Sequence, residues 1–511
     1  VYISRVLPNL YRDSVSLMAL SASLGARPGV EQVSAVMATP ANVALLREAG
    51  LLEGDVTASP NDLLLALRGK SAAALQAALE TALATLDKPP AAAPAGARAL
   101  QPLRSLQMAL GSAPAANLAL ISVPGEYAAA EAMKALQLGL NVMLFSDNVA
   151  LADEVKLKRH AHERDLLVMG PDCGTAIVDG VPLGFANAVR RGAIGVVGAS
   201  GTGTQQVTCL VHRAGAGISQ AIGTGGHDLH EDVGGISMLQ GLKALARDAE
   251  TKAIVLVSKP PAPAVAKAVL AAAARARKPV VVNFIGAAAG GIRGRNLHAA
   301  RTLEDAALAA VALARGRRPA RPANAGLRLP RLRLRAKQRY LRGLYSGGTF
   351  CYEASALLGE ALGNVWSNAA VDPRLKLADP WHSREHTLVD LGDDVFTRGR
   401  PHPMIDHRLR NERLVREAAD PEVAVVLLDI VLGYGAHPDP AAEMVPAIRK
   451  AQAVARKKGR SLAIVGFVCG TGEDPQGLER QERALREAGV LLASSSARAA
   501  RLAAAIVRKR R

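Results

Sequence analysis

At 511 residues, with 49% hydrophobic but only 3% aromatic content, the chain is long enough for three or four domains, and its alanine-rich segments point to α/β architecture. No run of about 18 apolar residues escapes charge or turn signals, which excludes a membrane-spanning helix; the scattered Cys173, Cys209, Cys351 and Cys469 form no CxxC pair, which argues against a disulfide framework or zinc cluster and suits a reducing cytoplasm. The net charge of +18 is local: Arg315 to Arg342 holds eleven basic residues and no acid, and 508–511 holds four more, so the rest is near neutral.

Val1-Tyr2-Ile3-Ser4-Arg5-Val6 reads as a strand rather than a signal peptide. Helix 13–24, strand 30–37, helix 41–49, strand 62–67 and helix 72–86 follow, making residues 1–87 a small α/β sandwich. Its Asn9, Ser14 and Ser16 are explained by ordinary capping. Residues 88–102 are a Pro/Ala-rich linker. From 103 to 191 a second alternating unit places strands at 116–123, 141–145 and 166–169, the last running into Gly170-Pro171-Asp172-Cys173-Gly174-Thr175. Parallel strands with crossover helices put such loops at the carboxyl edge of the sheet, where ligands bind. Cys173 has no histidine near it in sequence and reads as a packing thiol rather than a nucleophile.

A repeat then organises the remainder. One copy, 192–314, starts with strand 193–197 and turns at Gly198-Ala199-Ser200-Gly201-Thr202-Gly203 into a helix. It meets a second cluster at Gly223-Thr224-Gly225-Gly226-His227-Asp228, then strand 253–257, helix 263–277 and strand 279–284. The other copy, 339–507, turns at Tyr345-Ser346-Gly347-Gly348-Thr349, has its second cluster at Asp390-Leu391-Gly392-Asp393-Asp394, and continues with strand 423–430, helix 441–457 and strand 461–467. Residues 315–338 between them form a basic linker with Pro319, Pro322 and Pro330. A nucleic-acid arm is the weaker reading there, because Tyr340 is the only aromatic residue near that could stack. Bare backbone N–H groups at a glycine-rich helix start attract phosphate or carboxylate, and two such starts facing one cleft add their fields.

Gly170-Pro171-Asp172-Cys173-Gly174, Val197 to Gly203, Ala221 to Leu229, Arg342 to Thr349 and Gly399-Arg400-Pro401-His402-Pro403-Met404-Ile405-Asp406 together resemble the FdrA family of the succinyl-CoA synthetase superfamily over nearly the whole chain. The resemblance implies an α/β chain in which the N-terminal sandwich precedes a Rossmann-like, CoA-binding-type unit at 103–191. Two pseudo-repeated flavodoxin-like ligase units follow, at 192–314 and 339–507. It further implies a phosphoryl group held between two helix N-termini, at Ser200, Gly201, Thr202 and Gly203 and at Ser346, Gly347, Gly348 and Thr349. The superfamily's phosphohistidine string, Gly-His-Ala-Gly-Ala, is replaced by Ala287 to Ala300, where His298 lacks the surrounding motif and reads as a solvent or core histidine. Gln107-Met108-Ala109-Leu110-Gly111 carries one glycine only, so bound CoA is not expected from that turn. No tightly bound cofactor is implied.

FdrA-like proteins imply a subunit of oxamate carbamoyltransferase in anaerobic allantoin breakdown, working beside separate partner subunits on small anions, carbamoyl phosphate and oxamate. Acyl-CoA ligation and a non-catalytic CoA- or metabolite-binding role are the alternatives. His227, Arg400 and His402 are the candidates to polarise a carbonyl and neutralise oxamate. Asp172, Gly225, Gly226, Asp228, Asp406 and Asp429 are candidate substrate or loop contacts, with His437 near Asp429. Asp172, Asp228, Asp390, Asp393 and Asp394 could place Mg²⁺, although helix capping is the competing reading; no metal set is assigned.

Overall fold

The computed structural model describes residues 1–54, 56–87, 103–287, 291–320, 334–398 and 400–508. The linker at 88–102, most of the basic linker (321–333) and Gly399 of the Gly-Arg-Pro-His-Pro string lie outside the described residues.

The N-terminal unit runs β1 (Tyr2–Leu7), α1 (Ser14–Gly25), β2 (Val30–Met37), α2 (Pro40–Glu48), β3 (Leu63–Gly69) and α3 (Ala72–Leu86), with an antiparallel sheet in the order β1-β3-β2. Asp13, Thr39 and Ser71 cap the three helices through their side-chain oxygens. The unbroken apolar run of β3 is explained by burial on both faces: Leu63, Leu65 and Leu67 pack with α1 and α3, while Leu64 and Ala66 pack with α2. β2 is an edge strand.

The next unit comprises α4 (Leu106–Ser112), β4 (Leu118–Ile121), α5 (Gly125–Gln137), β5 (Asn141–Leu144), α6 (Leu151–Glu163) and β6 (Val168–Met169), with its three strands parallel. A hairpin of β7 (Thr175–Val178) and β8 (Val181–Gly184) follows, turning at Asp179-Gly180 with φ of 54° and 82°, the primed geometry tight hairpins favour. This hairpin, which precedes residue 192, joins the following sheet by pairing antiparallel with its edge.

That sheet is built from β9 (Arg191–Gly198), α7 (Gly201–Arg213), β10 (Ile218–Gly223), α8 (Ile236–Arg247), β11 (Ala253–Ser258), α9 (Pro263–Arg275), β12 (Val280–Phe284), β13 (Leu297–Ala299) and α10 (Leu303–Ala314), in the order β13-β12-β11-β9-β10-β7-β8. The last unit has β14 (Tyr340–Tyr345), α11 (Gly348–Leu362), β15 (Trp366–Ser367), β16 (Thr387–Asp390), α12 (Asp394–Thr397), α13 (Arg408–Ala419), β17 (Val423–Val431), α14 (Pro440–Lys457), β18 (Ala463–Cys469), α15 (Leu478–Glu487), β19 (Leu491–Ala493) and α16 (Ser496–Arg508). Its wholly parallel order, β15-β16-β14-β17-β18-β19, repeats that of the preceding sheet, with β9 matching β14 and β13 matching β19. The internal repeat is therefore a repeat of fold, and the chain is α/β with parallel sheets.

The two repeated units share one core in which α7, α10, α11 and α16 pack together between the sheets. A strap between β8 and β9 stitches them further. Asn187 Nδ2 donates to Leu432 O and Asp474 Oδ2, both at 2.8 Å, the Ala188 N–H donates to Asp474 Oδ1, and Thr471 Oγ1 donates to Ala188 O.

Candidate active site

Each repeat sends its first strand into a glycine-rich turn, and the shared core brings the two turns face to face. Ser200 Oγ and Thr349 Oγ1 hydrogen-bond at 2.6 Å, and a methyl group added at Gly347 would lie within 3 Å of Thr202. Among the described residues nothing accepts from the N–H groups of Gly201 and Thr202 on α7, or of Gly348 and Thr349 on α11. All eight residues named from the two starts lie here, and seven of them, all but Gly203, line one cavity of about 970 Å³.

The two starts are capped differently. Ser200 caps α7 itself, its Oγ accepting from the Gly203 N–H at 3.0 Å. At α11 the cap comes from Asp429, at the end of β17. Its carboxylate accepts from the N–H groups of Ser346 and Gly347 (both 2.8 Å) and from Ser346 Oγ (2.9 Å), and it pairs with the buried Arg410 at 2.8 Å. Burial pushes Asp429 up; Arg410 and these N–H groups pull it back. Asp390 also sits against α11, close enough that a side chain at Gly348 would strike its Oδ2.

Charge in the cavity is mixed. Lys259, at the end of β11, lies near both Asp172 and Asp390. Loss of solvent raises Asp172 to about 7, helped by Asp147 and opposed by Lys259. Burial likewise lifts Asp390 to about 6, against Lys259 and a hydrogen bond from the Gly392 N–H. A carboxyl in either place can carry or release a proton near neutrality. His402 lines the same wall. Burial and then Arg410 push it down to about 4, so its ring is neutral, and its Nδ1 accepts the Met404 N–H at 3.2 Å. A backbone N–H can only donate, so the ring proton sits on Nε2 and His402 offers the cavity a hydrogen-bond donor rather than a nucleophilic lone pair.

Arg400, Gly225 and Gly226 also line the cavity, as does Asp172. Four sequence candidates are placed elsewhere. His227 is exposed beside its rim, 3.5 Å from Glu154 and tilted against the His230 ring. Asp228 is fully buried, paired with Lys158 at 2.8 Å and capping α8 through the Ser237 and Met238 N–H groups. Asp406 is held by Arg408, and Asp429 faces the α11 start instead of open space. For Asp228 the capping reading is the correct one, because its oxygens are consumed inside the fold. Asp393 caps α12 in the same way. Cys173 is buried and pushed up to about 12, which fits a packing thiol. His298 lies on β13, away from the cavity. Sequence reasoning missed Lys259, although a lysine directly after a buried strand and before Pro260-Pro261 is a readable signal. It also missed the N-terminal unit, whose α1, β2 and α2 supply the opposite wall through Ser34, Thr39, Asn42 and neighbouring apolar residues.

Among the described residues one trio, His407, His437 and Glu443, is close enough to hold a metal ion. Its ring nitrogens do not suit one. His407 Nδ1 faces the Arg410 guanidinium at 3.0 Å and His437 Nδ1 accepts the Asp439 N–H at 3.0 Å, so each ring keeps a proton on Nε2; burial lowers His437, but Glu443, 2.9 Å from its Nε2, holds it above the ordinary value.

Three family models match the chain: "AllF, heavy metal-associated domain" over residues 2–102, "CoA binding domain" over 189–286 and "CoA-ligase" over 344–506. YahF of Escherichia coli (strain K12) is 46% identical over 497 residues, covering 96% of each chain. The chain belongs to the YahF family. This YahF-type chain is also 31% identical, over 34% of its length and 56% of the relative's, to the succinate–CoA ligase [ADP-forming] subunit alpha of Staphylococcus aureus (strain Mu50). A solved dinucleotide forming acetyl-coenzyme A synthetase 1 from Ca. Korarchaeum cryptofilum, in complex with phosphate and ADP, matches 77% of this chain and 83% of its own at 16% identity, with a TM-score of 0.33. The CoA-binding model falls on the α7 unit, one unit later than the resemblance puts it; both units alternate strand and helix, and only the later one carries the glycine-rich turn. Residues 1–102 of this YahF-type chain contain neither Cys nor His, so the domain resembling a heavy metal-associated one offers no thiolate or imidazole to a soft metal.

Proposed function

We propose that this chain is a carbamoyltransferase subunit that interconverts carbamoyl phosphate and oxamate with oxalurate and phosphate, in the anaerobic breakdown of allantoin, beside separate partner subunits. The observation that carries this reading is that the open α7 start, Lys259 and a donor histidine, not a nucleophilic one, line one cavity. A phosphate belonging to a substrate fits there without phosphorylation of the chain. The four buried free cysteines suit a reducing cytoplasm.

In the forward direction the oxamate amide nitrogen attacks the carbamoyl carbon. A C–N bond forms as the C–O bond to phosphate breaks, and the departing phosphate keeps the bonding electron pair. The Gly201 and Thr202 N–H groups and Lys259 receive its charge. His402 Nε2–H donates to the carbamoyl oxygen as negative charge builds on it. Asp172, whose carboxylate meets no donor among the described residues, takes the proton from nitrogen. Arg400 neutralises the oxamate carboxylate. The cavity's surplus of carboxylates also suits Mg²⁺ accompanying the phosphate, with Asp390 as a residue to hold it.

The test is phosphate-dependent cleavage of oxalurate by the chain co-purified with its partner subunits. Carbamoyl phosphate formation supports the proposal. Its absence, together with acyl-CoA formation from CoA and ATP and a labelled histidine, refutes it in favour of the second reading, acid–CoA ligation. That alternative draws on the CoA-binding and CoA-ligase matches.

A further inference from the structure

A second cleft, of about 540 Å³, lies between the N-terminal sheet and the last repeated unit. It is large enough for a ligand up to nucleotide size. One wall is formed by Gln32 and Arg68, which sit directly opposite each other on β2 and β3 and so project from the same face. The other wall is one stripe of α13, where Arg408, Glu412 and Arg416 recur at four-residue spacing, with Arg400 and Trp381 beside it.

Donors in this cleft outnumber acceptors. Five arginines line it against three carboxylates; Arg408 is paired with Asp406 and Arg413 with Glu417, which leaves Arg68, Arg400 and Arg416 against Glu31 and Glu412. Arg68 and Arg400 form no ion pair among the described residues; burial makes the Arg400 guanidinium harder to keep charged, Glu412 opposes this, and Arg68 stands near enough to add to it. Gln32, only 8% exposed, has a buried Nε2 with no hydrogen-bond partner. A buried donor without an acceptor and two like charges brought together are each unfavourable alone, and one anion between them relieves both.

We propose that this cleft is a second anion site, adjoining the cavity at Arg400, which takes a small multivalent anion, a phosphate ester or a polycarboxylate, and clamps the N-terminal unit to α13. Arg400 is common to this inference and the carbamoyltransferase reading, but Arg68, Gln32 and Arg416 belong to this cleft alone, so variants at Arg68 and Arg416 test it separately.

Calorimetric titration of the full chain with pyrophosphate at low salt tests it, with Gly201→Asp introduced to close the cavity site. Gly201→Asp is expected to retain one equivalent of pyrophosphate whose affinity falls with added salt. Arg68→Gln, in that background, is expected to weaken this equivalent tenfold or more. Arg416→Gln, on an exposed helix face and therefore safe for folding, is expected to weaken it several-fold. Competition by ADP but not citrate assigns a phosphate ester, and the converse a polycarboxylate. The proposal is overturned if the Gly201→Asp chain binds no pyrophosphate, if Arg416→Gln in that background binds it as tightly as its parent, or if neither competitor displaces it.

Discussion

The α7 and α11 starts occupy equivalent places in two copies of one fold, yet their fields differ. Each helix brings about half a positive charge to its N-terminus. At α11 that charge meets the carboxylate of Asp429 and, beside Gly348, that of Asp390. At α7, among the described residues, it meets the Ser200 hydroxyl and no capping carboxylate. The two copies keep the same backbone while one start is capped from within the fold, so the proposed phosphate is assigned to the α7 side with α11 as the wall behind it.

Four experiments bear on that asymmetry. The largest effect is expected from Asp429→Ala, which leaves Arg410 buried without its partner and strips the cap from α11. A loss of about 3–5 kcal/mol in denaturant unfolding is expected, and a loss below about 1 kcal/mol would mean that Asp429 does not anchor this start.

Next comes Gly201→Asp. A side chain at Gly201 meets only Thr175 Oγ1, at 3.8 Å, so the fold and thermal midpoint should hold while activity drops about 10²–10³-fold. Gly348→Ala, which collides with Asp390, should instead destabilise the chain by about 1–3 kcal/mol. If both variants lose stability equally, the contrast between the starts is false.

Asp172 gives the third test, through pH. Activity should rise roughly tenfold per pH unit below the value of about 7 held by Asp172 and level off above it. Asp172→Asn should abolish that slope and lower kcat by about 10²-fold. The linkage runs the other way for stability. Because folding raises this carboxyl, its contribution is full below its unfolded value and lost as pH rises through about 7. Asp172→Asn should therefore raise the thermal midpoint at pH 8 and leave it unchanged at pH 3.

Ser200→Ala should be mildest. It removes the α7 cap and the contact with Thr349, costing about 1 kcal/mol. A negligible change would make the local cap dispensable and narrow the difference from α11.

Much of this architecture is legible in the sequence because glycine clusters and apolar runs are local signals. The repeat, both helix starts and the α/β class follow from them. The capping of α11 is not legible, since Asp429 lies 83 residues from Ser346 in the chain and reads as one more aspartate after a strand. Asp228 misleads for the same reason: its partner Lys158 stands 70 residues earlier, and only the fold shows that the carboxylate turns inward. His227 follows Gly225-Gly226 closely in sequence, but the loop carries it past the cavity to the surface. Lys259 was legible and is overlooked only when attention stays on histidines. The N-terminal unit's part in the cavity could not be read, because its wall residues are ordinary small and apolar ones.

The strap at Asn187 carries a consequence for the order of assembly. Its amide donates to Leu432 O, 245 residues further along the chain. During synthesis the α7 turn exists long before the strands that complete its surroundings, and contacts so distant in sequence form slowly. The cavity is therefore among the last features to mature, and a nascent or truncated chain ending before residue 432 has both helix starts but lacks the Leu432 and Asp474 acceptors that tie the strap to the last unit.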